Sequence, residues 1–194
     1  MRLDLGLSAP RLAPLLIGWE LRAHGVRGRI VETEAYQGED DLACHASKGR
    51  TPRSEVLYAE PGTLYLYLVY GMHVLLNIVC DAAERPAAVL IRAIDIVDGE
   101  AIARARRNQP TCRRETIANG PGKVTQALKL DLAQNRLRLG ASGCPLALEP
   151  PRRKPAAVAS GPRVGVAYAG PVWSQRPWRW WEAGFPVVGG RNQT

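Results

Sequence analysis

Runs of β-forming residues dominate the first half of the chain. Gly28–Tyr36 alternates between apolar and polar residues, and further runs span Thr63–Tyr70, His73–Cys80 and Ala88–Val97. Alternation with a period of two is typical of strands that have one buried face. Gly71 lies in the short link between the second and third runs, where a glycine favours a hairpin. Because the strands follow one another directly, we expect a mixed α and β fold with a largely antiparallel sheet.

Helical and irregular segments complete the predicted organisation. Residues 9–24 are expected to form a loop followed by a helix, and Asp98 to N-cap a helix that runs to about Asn108. A second helix is predicted from near Pro121 to about Leu130. The Pro-rich segment 149–163 is expected to be an exposed loop, and Val164–Tyr168 a strand. No repeat or domain boundary is visible, so residues 1–194 are predicted to form one domain.

Positive charge is concentrated in the second half of the chain. The formal net charge is +8 over 194 residues. Residues 1–97 hold 10 Lys and Arg against 12 Asp and Glu, whereas residues 98–194 hold 16 against 6. This asymmetry predicts acid–base chemistry in the first half and phosphate binding in the second. A basic, solvated surface explains the charge equally well.

Cysteine spacing and hydropathy exclude several classes of protein. Cys44, Cys80, Cys112 and Cys144 are each more than thirty residues apart, and no CxxC pair occurs. Neither a zinc site nor a disulfide framework is therefore expected, and reduced thiols fit a cytoplasmic protein. The N-terminus does not have the pattern of a signal peptide, and no apolar window is long enough to span a membrane.

The strand Gly28–Tyr36 carries candidate acid–base residues. Alternation places Glu32, Glu34 and Tyr36 on one face, with Val31 and Thr33 on the other. On local grounds alone, an amphipathic strand whose polar face meets water explains the two glutamates better.

The predicted hairpin presents aromatic residues. Tyr65 and Tyr67 point to one side of their strand, and Tyr70 and Met72 flank Gly71 at the tip. The tyrosines within the strand fit a sheet face packed in the core. Side chains at a hairpin tip are poorly placed for burial but well placed to wedge between stacked bases.

Two basic features need partners. Arg92 interrupts the apolar strand AAVLIRAID, so it is expected either to pair with a carboxylate such as Glu34 or to reach solvent from the strand end. The segment Asn119–Lys123 opens the second predicted helix, where free N–H groups and Lys123 favour an anion. A plain Gly-Pro helix entry explains this segment equally well.

Together these segments resemble the alkyladenine (3-methyladenine) DNA glycosylase family. The matching segments occur in the family's order along nearly the whole chain: IVETEAYQGEDDLACHA, RTPRSEVLYAEPGTLYLYLVYGM, LNIV, VLIRAID, NGPGKVTQAL and RVGVAYAG. The resemblance implies one compact domain with a curved antiparallel sheet. It also implies a monomer that acts on duplex DNA containing damaged purines, with neither a metal nor an organic cofactor.

The resemblance implies catalytic roles for three residues. Glu34 would be the general base for the attacking water, which Arg92 and the main-chain carbonyl of Val164 would help to hold. No lysine matches a Schiff-base position of the family, so lyase activity is not expected.

The resemblance also implies contacts with the base and with DNA. Tyr36, His45 and Tyr67 would line the base pocket, with the His45 main-chain N–H donating to the base edge. Asn77 would crowd the purine 2-position. The DNA contacts would come from Tyr70 and Met72 as the wedge, and from Arg53 and Lys123 at the phosphates. Relatives carry Tyr at the position of His73, beside the wedge.

Two other classes of function stay open from the sequence. In a non-catalytic nucleic-acid-binding protein of the same fold, Glu34 would be a structural partner of Arg92 and the tyrosines a stacking platform. A metal-dependent nuclease would need a cluster of carboxylates that is not consumed by pairing with Arg92.

Overall fold

An eight-stranded antiparallel sheet organises the part of the chain that the structure describes, residues 3–185 of a computed structural model. The strands are β1 (Glu20–Ala23), β2 (Val26–Gln37), β3 (Leu64–Val69), β4 (His73–Val79), β5 (Ala87–Asp98), β6 (Ala147–Glu149), β7 (Val158–Gly161) and β8 (Arg179–Glu182). The order across the sheet is β3-β4-β5-β2-β1-β6, and β8 pairs with both β2 and β7. The predicted α/β class with an antiparallel sheet is confirmed.

The long strands β2 and β5 form the centre of the sheet. Along one edge, β2 pairs with β5 over most of its length. Along the other edge, β1 pairs with the first part of β2 and β8 pairs with Glu32–Glu34. Both edges of β2 are therefore hydrogen-bonded around Glu34, which makes this part of the strand a rigid support.

The hairpin between β3 and β4 forms at Gly71, where the sequence predicted it. Tyr70 and Gly71 both have positive φ, at 52° and 69°, and the Met72 N–H donates to the Val69 carbonyl at 3.2 Å. Two successive positive φ values are characteristic of the tight turns that match strand twist. The turn holds Tyr70 beyond the end of the sheet.

Short helices cover the sheet. They are α1 (Ala9–Leu15), α2 (Glu100–Arg107), α3 (Pro121–Leu128) and α4 (Gly170–Ser174), with 3-10 turns at His45–Lys48, Glu55–Tyr58, Arg114–Thr116, Leu132–Gln134 and Ala167–Ala169. Leu12 and Leu16 of the first helical segment and Val124 and Leu128 of α3 join one large apolar core with the strands. None of the helices within residues 3–185 is long and apolar enough to cross a membrane.

The predicted helix boundaries are wrong at two places. Within residues 9–24 the helix ends at Leu15, because Gly18 takes φ of 92° and the chain then enters β1. Asp98 does not cap α2: it is the last residue of β5, and its carboxylate accepts from the Gly99 N–H at 2.8 Å. Gly99 itself, with φ of 74°, is the N-cap. The predicted helix at Pro121 is confirmed but ends at Leu128.

The predictions for the last quarter of the chain also need correction. The segment 149–163 is not one exposed loop, because Val158–Gly161 pairs with β8 as strand β7. Val164–Tyr168 is not a strand: Gly165 has φ of 75°, and a 3-10 turn begins at Ala167. Part of the Trp-rich tail, Arg179–Glu182, forms β8 instead.

A bulge in β2 breaks the predicted alternation. Ile30 and Ala35 both contact the large core although their positions differ by five, an odd number, and the register with β5 shifts on both sides of Glu32. The prediction that Val31 shares a face with Thr33 is therefore wrong, because Val31 packs with Ala93 beside β8. The bulge re-aims the acidic part of the strand.

Candidate active site

Glu34 lies in a row of residues that crosses the sheet. Tyr65 of β3 pairs with Asn77, Asn77 pairs with Leu90 of β5, and Leu90 pairs with Glu34. On the far side, Glu34 pairs with Arg179 of β8. Directly opposed residues in a sheet project to the same face. Five strands therefore present these side chains together.

The Glu34 carboxylate is fully buried, with 0% exposure, and three donors surround it. The Val164 N–H donates to Oε1 at 2.7 Å, and the Tyr36 hydroxyl donates to Oε2 at 2.9 Å. The Arg92 guanidinium lies 3.4 Å from Oε1. A buried carboxylate is costly unless it is paired and hydrogen-bonded, and this one has both kinds of partner. The expectation that its strand face meets water is wrong.

Arg92 holds two carboxylates at once. Its Nε lies 3.3 Å from Glu32 Oε1, and its Nη1 reaches Glu34. Burial opposes the charged form of Arg92, but Glu34 and Glu32 outweigh burial and raise its pKa. Burial also raises the pKa of Glu32, against the effect of Arg92. Of the two alternatives for Arg92, pairing with Glu34 is the one that the geometry supports.

A cleft of about 630 Å³ opens above this buried group. Eight of the predicted site residues line it: Tyr36, His45, Arg53, Tyr67, Tyr70, Arg92, Lys123 and Val164. Glu34 lies beneath this lining, under Val164 and Tyr36, and Met72 lies outside it.

Aromatic rings form one wall of the cleft. His45 meets Tyr67 edge to face at 4.7 Å between centroids, and Tyr65 packs beside Tyr67 at 5.0 Å. His45 Nδ1 lies 2.7 Å from the Tyr65 hydroxyl. Burial, followed by the nearby charges of Arg53 and Lys48, lowers the pKa of His45 to about 4. The ring is therefore neutral at physiological pH.

Asn77 lies behind the aromatic wall rather than in the cleft. It is 3% exposed, and its amide donates to the Tyr65 carbonyl at 3.1 Å. It lines a small cavity of about 50 Å³ together with Tyr36, His45 and Tyr67. The predicted pocket residues are thus brought together around this cavity.

The hairpin tip projects past the mouth of the cleft. Tyr70 is 90% exposed and Met72 is 68% exposed, so core packing explains neither side chain. Beside them, His73 packs on α3 so closely that a Cβ on Gly122 would lie 3.2 Å from its ring. This contact explains why a glycine occupies the first turn of α3, and it joins the tip to the helix entry.

Arg53 and Lys123 lie on different elements that border the cleft. The Arg53 guanidinium sits 5.1 Å from the centre of the Tyr67 ring and donates to the Leu68 carbonyl at 3.3 Å. Lys123 Nζ donates to Asn119 Oδ1 at 2.7 Å, at the entry of α3. Both cations thus flank the mouth between the hairpin and the helix.

A sequence model of the methylpurine-DNA glycosylase family matches residues 5–186 of the chain. The chain belongs to this family. The resemblance predicted from the ordered segments is thereby confirmed, and membership assigns the chain to the DNA glycosylases, which are hydrolases acting on DNA.

Individual relatives agree over most of their length. A protein of Methanocella arvoryzae is 44% identical over 172 residues, covering 89% of this chain and 84% of its own. A protein of Myxococcus xanthus is 47% identical over 155 residues, covering 79% and 72%. A protein of Mycobacterium tuberculosis strain H37Rv is 38% identical over 190 residues, covering 95% and 90%. Each is named "Putative 3-methyladenine DNA glycosylase".

The glycosylase uses many of its second-half arginines within its own fold. Arg104 donates to the Cys112 carbonyl at 2.6 Å, Arg106 to the Ala127 carbonyl at 2.8 Å, and Arg107 to the Ile117 carbonyl at 3.1 Å. Arg114 also donates to a main-chain carbonyl, that of Ile96. Net charge in this half therefore overstates the capacity for phosphate binding.

Sequence reasoning assigned no role to Asp41, Arg163 or Tyr168 of the glycosylase. Asp41 and Arg163 form a fully buried ion pair, and Tyr168 lines the cleft while its hydroxyl donates to the Ala43 carbonyl at 3.2 Å. Asp41 and Arg163 both lie in segments that resemble the family, IVETEAYQGEDDLACHA and RVGVAYAG. An arginine within a short apolar segment, RVGV, was the available signal that a buried partner exists.

Within residues 3–185, no group of three His, Cys, Asp or Glu side chains is placed to hold a metal ion. Glu32 and Glu34, the two carboxylates of the strand, both contact Arg92. The carboxylate cluster that this hypothesis requires is therefore not formed by the described residues.

Proposed function

We propose that this glycosylase flips alkylated or deaminated purines out of duplex DNA and hydrolyses their N-glycosidic bond with a water activated by Glu34. The substrate class comprises 3-methyladenine, 7-methylguanine, hypoxanthine and ethenoadenine. One observation carries the proposal: a fully buried carboxylate with three donors lies at the floor of an aromatic cleft, next to an exposed hairpin tip.

The chemistry of the bond explains the carboxylate. Cleavage of a glycosidic bond develops oxocarbenium character on the sugar, and a nearby anion stabilises that cation. Glu34 supplies the anion and accepts a proton from the attacking water. Arg92 and the main-chain carbonyl of Val164 hold the water. The product is an abasic site, and the proposed reaction contains no Schiff-base or lyase step.

The aromatic wall suits the leaving group. A purine alkylated on its ring carries positive charge, which the faces of tyrosine rings attract. In the proposed complex Tyr36 stacks on one face of the extruded base, and His45 and Tyr67 close the opposite side. The His45 main-chain N–H lies at the start of a 3-10 turn, where it has no partner within the turn and is available to the base edge. Asn77, at the back, crowds the purine 2-position and disfavours guanine.

The surrounding groups offset the cost of extrusion. Flipping a base costs a few kcal/mol, and less when the base is damaged and poorly paired. Tyr70 and Met72 fill the gap left in the duplex, while Arg53 and Lys123 hold phosphates on either side of the mouth. The proposed enzyme works as a monomer and without a cofactor.

The test is single-turnover excision from duplexes that each carry one lesion, measured in EDTA. Glu34→Gln keeps the shape of the side chain, and we expect it to slow base release by about 10²–10⁴-fold while duplex binding survives. Glu32→Gln is the matched comparison, because Glu32 is also buried against Arg92. Release within threefold of wild type by Glu34→Gln would make Glu34 a structural partner of Arg92. A larger loss in Glu32→Gln would make Glu32 the base, and loss of wild-type activity in EDTA would support a metal-dependent reaction.

A further inference from the structure

A further buried ion pair lies beside β2, the strand that carries Glu34. Asp41 and Arg163 are both fully buried, and the Arg163 guanidinium donates two hydrogen bonds to the Asp41 carboxylate, at 2.6 and 2.8 Å. Arg163 also donates to the Ala35 carbonyl at 2.9 Å and to the Trp173 carbonyl at 3.1 Å. One side chain therefore joins residues 35–41 to residues 163–173, which are more than 120 positions away along the chain.

The contacts of this pair converge on the neighbours of Glu34. Arg163 precedes Val164, whose N–H donates to Glu34. Ala35, whose carbonyl Arg163 binds, follows Glu34 in β2. The Arg163 guanidinium also lies 4.8 Å from the centre of the Tyr36 ring. The same cation thus fixes the loop that supplies one donor and the strand that supplies the carboxylate.

Stability alone is a poor explanation for such a pair. Removing two charges from water costs free energy that their attraction often fails to return, whereas a bidentate guanidinium–carboxylate contact fixes geometry strongly. Val164 lies in no strand or helix, three residues after the end of β7, and Gly165 after it has positive φ. Arg179 Nε donates to the Pro162 carbonyl at 2.9 Å, so β8 also holds this loop. The contact between Asp41 and Arg163 holds the residue directly before Val164 and so directs the Val164 N–H toward Glu34.

We propose that Asp41 and Arg163 form a positioning pair, which holds the Val164 loop and Tyr36 against β2 so that the Glu34 carboxylate keeps its donors. Neither residue touches the DNA in this proposal. The proposal rests on the proposed function of Glu34, and it adds two residues that act through that group.

The experiment compares three variants with wild type. Asp41→Asn is nearly isosteric but leaves the Arg163 charge uncompensated. The double variant Asp41→Asn/Arg163→Gln removes both charges and so avoids an unpaired buried ion. Glu182→Gln is the matched control, because Glu182 is the buried partner of Arg29 in another ion pair of the sheet. Each is measured for melting temperature, affinity for lesion duplex, and single-turnover excision rate, with Glu34→Gln run alongside.

We expect Asp41→Asn to lower both the melting temperature and the excision rate, the rate by about 10²-fold, because a displacement of about 1 Å is enough for such a loss. Lesion-duplex affinity should stay within threefold of wild type. In the double variant the melting temperature should recover, but the rate should stay at least tenfold low.

The proposal is overturned if the rate recovers together with the melting temperature in the double variant. It is also overturned if Glu182→Gln, at an equal loss of melting temperature, slows excision as much. A failure of the proposed function looks different, because Glu34→Gln would then retain activity whatever the other variants do.

Discussion

Binding of the glycosylase to undamaged DNA should depend on salt through Arg53 and Lys123 and not through the basic loop at 150–157. Arg53 and Lys123 border the cleft mouth on two sides. We compare the double variant Arg53→Ala/Lys123→Ala with Arg152→Ala/Arg153→Ala. Each pair removes two positive charges, so any difference between them reports the location of the charges and not the net charge.

The loop lies away from the hairpin tip. It leaves β6, the strand at the opposite end of the sheet from β3, and Pro155 packs against Gly18. Arg152 pairs with buried Glu20 at 3.5 Å, and Arg153 pairs with buried Glu182 at 3.3 Å. These arginines neutralise carboxylates of the sheet, although their own side chains are largely exposed.

The expected difference follows from counterion release. Each neutralised phosphate contributes about −0.9 to the slope of log affinity against log salt concentration. Losing two contacts should flatten the slope by about 1.8. Between 50 and 200 mM salt, wild type should therefore lose about 12-fold more affinity than Arg53→Ala/Lys123→Ala. The slope of Arg152→Ala/Arg153→Ala should match wild type.

Fluorescence anisotropy with an undamaged duplex at four salt concentrations gives all three slopes. Melting temperatures confirm that each variant is folded, and we expect small changes in Arg152→Ala/Arg153→Ala because Glu20 and Glu182 keep Arg27 and Arg29 as partners. A flattened slope in Arg152→Ala/Arg153→Ala would place the basic loop on DNA and contradict the assignment. An unchanged slope in Arg53→Ala/Lys123→Ala would remove the proposed phosphate contacts.

Two further residues give separate predictions. Tyr70→Ser should slow excision of hypoxanthine opposite thymine by about tenfold, or 1.4 kcal/mol, yet leave excision from single-stranded DNA nearly intact, and equal losses in both contexts would refute the wedge. His45 has a folded pKa of about 4, below its ordinary value, so the unfolded chain binds a proton that the folded chain does not as pH falls from about 6.5 to 4. Wild type should therefore lose roughly 2 kcal/mol more unfolding free energy than His45→Gln between pH 7 and 4.5, and urea titrations that show the same loss for both would refute this.

Four of the eight strands, β2 to β5, could be predicted from the sequence because alternation is a local signal, whereas the short strands β1, β6, β7 and β8 were not predicted. β2 to β5 appear within a few residues of their predicted bounds, and the hairpin follows from Gly71. The helix ends could not be predicted in the same way. At Gly18 and Gly99 the chain turns with positive φ. Glycine permits this conformation, but the presence of a glycine in the sequence does not show which glycine adopts it. The bulge at Glu32 is set by pairing with β5 and β8, which no local pattern contains.

The candidate site could be predicted in its residues, but of the contacts among them only the pairing of Arg92 with Glu34 was among the alternatives. The resemblance named Glu34, Tyr36 and Arg92, and the structure places them together. The bond from the Val164 N–H to Glu34 joins residues 130 positions apart, and the pair of Asp41 and Arg163 spans 122 positions. Such contacts exist only once the sheet has formed, so neither spacing nor charge counting reveals them.

The burial of Glu34 places a condition on its proposed role as the general base. A carboxylate with 0% exposure cannot stay charged without donors, and the Val164 N–H, Arg92 and Tyr36 supply them. The Val164 N–H and Arg92 lie at Oε1 and the Tyr36 hydroxyl lies at Oε2, so of the roughly four lone-pair sites of the carboxylate the one left for an attacking water is on Oε2, beside the Tyr36 hydroxyl. In the proposed complex the extruded base stacks on the same Tyr36 ring. Seating of the base and access of water to Glu34 are thereby coupled through one side chain, which links recognition of the lesion to activation of the water.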